Sequence, residues 1–161
     1  MIDAAALDEA AALLEALQAQ GITLATAESC TGGLIAAALT AIPGSSATVL
    51  CGFVTYSNAA KASMLGVPEE LLARVGAVSE EVARHMAEAA LERSGAGLAL
   101  SCTGIAGPGG GSAEKPVGLV HLAGARQGGT VVARRHVFGG DRAAIRLATL
   151  REALRIAHSL L

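Results

Sequence analysis

The hydrophobic and polar residues follow two patterns, one with helical spacing and one with the continuous apolar runs of strands. Segments of the two kinds alternate along the chain. Apolar residues at helical spacing predict helices over 3–19, 31–41, 57–65, a short stretch from 68, 79–94 and 141–160. Apolar and β-branched runs predict strands over 22–27, 48–56, 97–103, 117–123 and 130–138. The predicted order is therefore α-β-α-β-α-α-α-β-β-β-α. Helices that alternate with strands in this way indicate an α/β protein with a mixed sheet covered on both sides.

Two of the predicted strands are almost continuously hydrophobic, at 48–56 and 97–103. That pattern predicts strands buried on both faces of the sheet. The last two strands are joined by the short polar segment 126–129, which predicts a hairpin. No internal repeat, linker or low-complexity segment interrupts the sequence, so residues 1–161 are expected to form a single domain.

Composition narrows the possible functions. The chain is 52% hydrophobic but has only one Tyr, two Phe and no Trp, so small aliphatic side chains must fill the core. A net charge of −2 without a basic run argues against nucleic-acid binding. No apolar run is long enough for a membrane span, and the amino terminus does not resemble a signal peptide. Three widely spaced cysteines fit a cytoplasmic protein without disulfides, and scattered histidines predict no metal site.

The segment 28–33 (Glu-Ser-Cys-Thr-Gly-Gly) lies where a predicted strand turns sharply into a helix. Backbone N–H groups in a first helical turn have no intrahelical partner, so such a corner can bind an anion or a developing oxyanion. Gly32 and Gly33 would leave these amides open to a ligand. Ser29, Cys30 and Thr31 are each potential nucleophiles or hydrogen-bond donors. The alternative is that Ser29 or Thr31 is simply the N-cap of the helix.

Two further loops are expected at the same edge of the sheet, where open α/β folds bind their ligands. One is 56–61, and the other is 103–111, which contains five glycines. A loop this rich in glycine exposes many amides and resembles a phosphate cradle, although it matches neither the P-loop nor the dinucleotide-binding motif. It can equally be a flexible crossover.

Lysine usage adds a candidate base. Only Lys61 and Lys115 occur beside ten arginines. A lysine can lose its proton and act as a base, which arginine cannot, although Lys61 can also be an ordinary surface residue. No Gly-x-Ser-x-Gly motif is present and no histidine lies in the three loops, so a Ser-His-Asp triad is poorly supported. If Ser29 is the nucleophile, its base should be Lys61.

Several blocks of the sequence resemble the CinA carboxyl-terminal domain family, whose free-standing members are PncC-type nicotinamide-nucleotide amidohydrolases. The blocks are AESCTGG at 27–33, PGSS at 43–46, VTYSNAAK at 54–61, GAVS at 76–79, TGIAGP at 103–108, KPVGLV at 115–120 and GDR at 140–142. They occur in the family's order over roughly residues 5 to 160. The amino-terminal domain of longer CinA proteins has no counterpart, which favours a stand-alone deamidase.

The resemblance implies a three-layer α/β/α sandwich with a mostly parallel sheet, and a hydrolase that needs no cofactor. It implies the nucleophile at Ser29 and the base at Lys61, and the substrate would be nicotinamide mononucleotide (NMN). The other positions that it implies for catalysis or substrate binding are Ser46, Tyr56, Thr103 and Arg142. The amides of Thr31, Gly32 and Gly33 are candidate oxyanion donors. Arg142 and the amides of 104–111, among them those of Gly104 and Gly107, are candidates for the substrate phosphate. The sequence leaves open which of the two anion sites serves which group.

The resemblance also implies a homodimer or a higher homo-oligomer. A different class of function stays open, namely a non-catalytic nucleotide-binding or regulatory module with the same fold. Phosphoryl transfer is less well supported, since no acidic cluster that could bind Mg²⁺ accompanies the glycine-rich loop.

Overall fold

The computed structural model describes residues 2–161 and contains the predicted elements in the predicted order. The helices are α1 (Ala4–Ala19), α2 (Leu34–Thr40), α3 (Asn58–Leu65), α4 (Glu69–Val75), α5 (Glu80–Ser94) and α6 (Arg142–Ser159). The strands are β1 (Leu24–Glu28), β2 (Val49–Val54), β3 (Leu98–Gly104), β4 (Leu119–Arg126) and β5 (Thr130–Val137). A short 3-10 helix, Ser45–Ala47, precedes β2.

The five strands form one mixed sheet in the order β2-β1-β3-β4-β5. Strands β2, β1 and β3 are parallel, β4 is antiparallel to β3, and β5 pairs with β4 in the predicted hairpin. Four of the five strands therefore point in the same direction. Helices α1, α2 and α6 pack on one face through a leucine- and isoleucine-rich core, and α3, α4 and α5 cover the other face. The expected three-layer α/β/α sandwich is confirmed.

Alanine determines how closely α5 approaches the sheet. Ala83 and Ala87 on this helix pack against Ala123 and Ala125 of β4, and all four are buried. Small side chains on both surfaces let the helix lie near the strand, and many such contacts make up for the lack of aromatic residues.

The expectation that the 48–56 strand is buried on both faces is wrong. Strand β2 lies at an edge of the sheet, and its side chains alternate between half-buried and exposed. Leu50 and Val54 are 48% and 45% exposed, whereas Cys51 and Phe53 pack under α5. An edge strand has a neighbour on one side only, so an apolar sequence cannot by itself tell an edge position from a central one.

The parallel strands β2, β1 and β3 end at the same edge of the sheet, which brings together the segments that follow them. Helix α2 begins at Leu34, three residues later than expected, because residues 29–33 form a turn at this edge. The amino end of α6 reaches the same edge. In residues 2–161, no helix is both long enough and apolar enough to cross a bilayer.

Candidate active site

A cleft of about 250 Å³ opens at the carboxyl edge of the sheet. It is lined by Ser29, Cys30, Tyr56, Gly104, Ile105, Ala106, Gly107, Gly109, Gly110 and Arg142. These residues come from all three predicted loops and from the first residue of α6. The parallel strands thus place on one surface residues that lie more than a hundred positions apart in the chain.

Ser29 and Lys61 are in direct contact at the base of the cleft. The Lys61 Nζ lies 2.9 Å from the Ser29 Oγ and donates a second hydrogen bond to the Thr55 carbonyl oxygen at 2.8 Å. Ser29 is 8% exposed and Lys61 only 1%. The backbone N–H of Ser29 donates to the Cys102 carbonyl, which anchors the residue to β3. Lys61 is therefore a buried residue of the site and not a surface lysine.

Burial lowers the pKa of Lys61 from its ordinary value of 10.5, because the ammonium loses its hydration inside the protein. The nearby thiols of Cys30 and Cys102 act in the opposite direction when they are ionised. No carboxylate is paired with this amine among residues 2–161. A lysine in these surroundings is prepared to lose its proton, and its neutral Nζ can then accept the proton of the Ser29 hydroxyl while it still donates to Thr55.

Cys30 also lines the cleft, next to Ser29. Its pKa is raised well above the usual value by a hydrogen bond with the Cys102 thiol and by burial. A thiol with a raised pKa stays protonated, and the thiolate is the nucleophilic form. The Lys61 amine contacts the Ser29 hydroxyl and not this thiol, so Ser29 is the better candidate nucleophile of the two.

The turn from β1 into α2 depends on two glycines and one carboxylate. Gly32 and Gly33 have φ angles of 60° and 94°, which favour glycine. The Gly32 N–H donates to the Ser29 carbonyl, and the Gly33 N–H donates to the Glu28 carboxylate. These two amides are therefore occupied, and the expectation that they bind an oxyanion is corrected. The amides of Cys30 and Thr31 make no hydrogen bond to another residue in the described part of the chain.

Two threonines that were expected to bind substrate have their hydroxyl groups engaged within the protein. Thr31 is fully buried and donates to the Glu28 Oε2 at 2.6 Å. Thr103, which is 1% exposed, donates to the Ala77 carbonyl at 2.9 Å. Neither residue lines the cleft, so neither hydroxyl is in position to contact a ligand there. Both lie behind the cleft, where they hold the surrounding loops in place. The expectation for Thr31 concerned its backbone amide, and the roles expected of both residues stay predictions.

Ser46 is exposed and lies in the 3-10 helix that leads into the amino end of β2. Because β2 runs parallel to β1, this end of β2 is at the opposite edge of the sheet from Ser29. A strand of five residues spans about 17 Å. The structure therefore does not bring Ser46 into the cleft of its own chain, and its expected role in catalysis or substrate binding stays a prediction.

Tyr56 and Arg142 form the rim of the cleft. The Arg142 Nη2 donates to the Tyr56 hydroxyl at 2.7 Å, and its Nη1 donates to the Gly107 carbonyl at 2.9 Å. Arg142 thus joins the loop after β2 to the glycine-rich loop after β3. Gly104 and Gly107 line the cleft, as expected. Among the described residues, this guanidinium has no carboxylate partner, so its charge is available to an anionic ligand.

Two residues that were not predicted from the sequence also shape the site. Glu28 lies inside the AESCTGG block, and its carboxylate binds the amino end of α2. Arg146 lies one helical turn after Arg142, and its Nη2 donates to the Thr31 carbonyl at 2.5 Å. The four-residue spacing on one face of α6 was the signal available for Arg146. A second cavity, of about 630 Å³, adjoins the cleft and is lined in part by both arginines.

The described residues that line the cleft include no histidine. Within 2–161, no group of three His, Cys, Asp or Glu side chains lies close enough together to hold a metal ion. The arrangement can support nucleophilic attack by the Ser29 hydroxyl, which lies next to the buried Lys61 amine. Backbone amides without a partner among the described residues and the Arg142 guanidinium lie close by.

Known proteins are similar to this chain in sequence and in fold. Residues 7–161 match the CinA C-terminal domain family. A "CinA-like protein" of Geobacter sp. strain M21 is 57% identical over 155 residues, which is 96% of this chain but 37% of that relative. The nicotinamide-nucleotide amidohydrolase PncC of Escherichia coli K12 is 55% identical over 141 residues, covering 88% of this chain and 86% of that protein.

Solved structures agree with the sequence relatives. The competence/damage inducible protein CihA of Agrobacterium tumefaciens superposes with a TM-score of 0.97 at 52% identity, over 99% of this chain and 98% of the other. The competence damage-inducible protein A of Klebsiella pneumoniae superposes with a TM-score of 0.92 at 38% identity, over 96% of each. With the family match across nearly the whole length, this chain belongs to the CinA C-terminal domain family.

Proposed function

We propose that this protein is an amidohydrolase that converts NMN and water to nicotinate mononucleotide and ammonia by a Ser/Lys mechanism. The observation that carries the proposal is the 2.9 Å contact between the Ser29 hydroxyl and the buried Lys61 amine. The similarity to the E. coli amidohydrolase, which extends over 86% of that protein, supports NMN as the substrate. The longer CinA-like relatives match over about a third of their length, so they add little about the reaction.

In the first half of the reaction, neutral Lys61 accepts the proton of the Ser29 hydroxyl as the oxygen attacks the carboxamide carbon. The tetrahedral oxyanion accepts a hydrogen bond from the free backbone amide of Cys30, which lines the cleft next to Ser29. The protonated Lys61 then donates its proton to the leaving nitrogen, and ammonia departs. An ester between the Ser29 oxygen and the nicotinoyl group remains.

In the second half, Lys61 accepts a proton from a water molecule that attacks the ester carbonyl. Collapse of the second tetrahedral intermediate returns the proton to the Ser29 oxygen and releases nicotinate mononucleotide. The carboxylate product can re-enter pyridine-nucleotide synthesis, so the reaction is a salvage step.

The phosphate of NMN needs a cationic partner at the mouth of the cleft. Arg142 supports this role because its charge is unpaired and it lies between Tyr56 and the glycine-rich loop. Within that loop, the amides of Gly107 and Gly109 make no hydrogen bond to other described residues and can contribute donors. Tyr56 is 59% exposed and positions the guanidinium through its hydroxyl.

The direct test is incubation of the purified protein with NMN, followed by measurement of ammonia and of nicotinate mononucleotide. We expect both products in equal amounts. Binding of NMN without release of ammonia would contradict the proposal and would indicate the non-catalytic nucleotide-binding module instead.

The expected homodimer or higher homo-oligomer stays a prediction. Leu50 and Val54 form an exposed apolar pair on the edge strand β2 and offer a surface that a second copy could cover. Light scattering of the purified protein measures the oligomeric state. We also propose a cytoplasmic location, which the three free cysteines support.

A further inference from the structure

Glu28 is the last residue of β1 and its side chain is completely buried beside the nucleophile. A carboxylate inside a protein is costly unless it is paired or fully hydrogen-bonded. Glu28 has no cationic partner in the described part of the chain. The carboxylate instead accepts hydrogen bonds from the turn that follows Ser29 and from the helix beyond it.

The two carboxylate oxygens divide these donors between them. Oε2 accepts from the Thr31 hydroxyl at 2.6 Å, the Gly33 N–H at 3.1 Å and the Ile35 N–H at 3.0 Å. Oε1 accepts from the Ala36 N–H at 2.8 Å. The three backbone N–H groups would otherwise be unpaired at the amino end of α2, whereas the Thr31 hydroxyl also lies 3.0 Å from the Cys102 Sγ.

Both ends of the turn at 29–33 are therefore fixed by one residue, Glu28, through its backbone at one end and its side chain at the other. The Glu28 backbone is held in the sheet between β2 and β3, and its carboxylate holds the amino end of α2. Ser29 lies between these two anchors, so the position of its hydroxyl relative to the Lys61 amine depends on them. An error of about 1 Å in such a distance can reduce turnover about 100-fold.

We propose that Glu28 is a positioning residue that holds the Ser29 hydroxyl at the Lys61 amine, and that its carboxylate reserves the amino end of α2 against external anions. This inference rests on the proposed amidohydrolase reaction. It assigns oxyanion binding to the backbone amide of Cys30, which lines the cleft and which the carboxylate leaves free, and it leaves the substrate phosphate to Arg142.

Glu28→Gln tests the proposal with nearly unchanged side-chain volume. Both oxygens of the Glu28 carboxylate accept hydrogen bonds, whereas a glutamine has an NH₂ donor in place of one of them. In either orientation of its amide, this NH₂ group would face N–H or O–H donors, so the turn cannot keep its geometry. We expect kcat for NMN to fall about 100-fold while KM changes less than about threefold. An unchanged kcat, or a loss expressed mainly in KM, would overturn the positioning role.

A second readout does not depend on NMN. Phenylmethanesulfonyl fluoride transfers its sulfonyl group to an activated serine oxygen, and fluoride and the serine proton leave as HF. Mass spectrometry gives the rate of Ser29 modification. We expect this rate in Glu28→Gln to fall about as much as kcat, by roughly 100-fold. Equal rates in the variant and the parent protein would contradict the inference, whereas a reactive parent that does not hydrolyse NMN would contradict only the proposed function.

Two more variants separate positioning from general stability. Thr31→Val removes one donor to Glu28 and should lower kcat about tenfold. If Glu28→Gln does not fold, this variant tests the positioning role of Glu28 in its place. Asp3→Ala removes a different carboxylate cap, the one that accepts from the Ala6 N–H at the start of α1. It should lower the Tm without changing kcat. A kcat in Thr31→Val equal to that of Asp3→Ala would overturn the proposal.

Discussion

The amine of Lys61 lies 2.9 Å from the hydroxyl of Ser29, and both side chains are almost completely removed from solvent. Their positions in the sequence are 32 residues apart, on the turn after β1 and on α3. Within residues 2–161, the only other hydrogen-bond partner of the amine is the Thr55 carbonyl. A Ser/Lys hydrolase requires this kind of contact, between a hydroxyl and a buried amine that has no carboxylate partner.

Ser29→Ala removes the proposed nucleophile and leaves the rest of the cleft intact. We expect the release of ammonia from NMN to fall by about 10⁴-fold or more, because in the proposed reaction Ser29 supplies the oxygen of the acyl intermediate. Calorimetry should show NMN binding within about threefold of the parent protein, since the hydroxyl contributes little to ground-state binding. Retained turnover would remove Ser29 from the nucleophile role.

Lys61→Met and Lys61→Arg separate the chemistry of the amine from its charge and volume. Both should lower kcat by about 10³-fold or more, since methionine has no basic nitrogen and arginine stays protonated. Lys61→Met should unfold at a temperature equal to or above that of the parent protein, because it removes a buried, unpaired amine. Near-normal turnover in Lys61→Arg would limit Lys61 to a positioning role.

The pH dependence of the reaction follows from the lowered pKa of Lys61. The neutral amine is the active form, so kcat/KM should rise with pH along a limb whose midpoint lies below 10.5. The limb should be absent from the residual activity of Lys61→Met. A midpoint at or above 10.5 would show that burial does not activate the amine.

Stability should change with pH through the same group. Because burial lowers the pKa of Lys61, the unfolded chain binds more protons than the folded one between the folded-state pKa and 10.5. Relative to Lys61→Met, the parent protein should therefore be destabilised at low pH and should gain stability as the pH rises through that window. Urea unfolding of both proteins across the window measures the difference. A constant difference would contradict the lowered pKa.

Arg142→Gln tests which group binds the substrate phosphate. We expect KM for NMN to rise about 10- to 100-fold, the value of a charge-assisted hydrogen bond, while KM for nicotinamide riboside stays unchanged. Arg155→Gln, on the exposed side of the same helix, is the matched control and should affect neither substrate. Equal effects of Arg142→Gln on both substrates would instead assign the guanidinium to the shape of the cleft through Tyr56 and Gly107.

Several parts of this fold and site could be predicted from sequence because their causes are local. The order of helices and strands follows from apolar spacing, and the hairpin follows from a short polar segment between two strands. Parallel strands end at a common edge, so the meeting of the three loops could also be expected. The motif at 27–33 predicted the candidate nucleophile, and the scarcity of lysine indicated Lys61 as the candidate base.

Other features depended on which elements lie next to each other. The edge position of β2, the distance of Ser46 from the cleft and the inward direction of Thr31 and Thr103 all follow from strand order and packing. Likewise, the amides at the start of α2 looked free in the sequence but are bound by Glu28. The sequence by itself determined which residues are chemically able to react and which elements carry them. Only the tertiary structure decided which of their polar groups remain unpaired, because a hydrogen-bond partner is set by distance in space and not by separation along the chain.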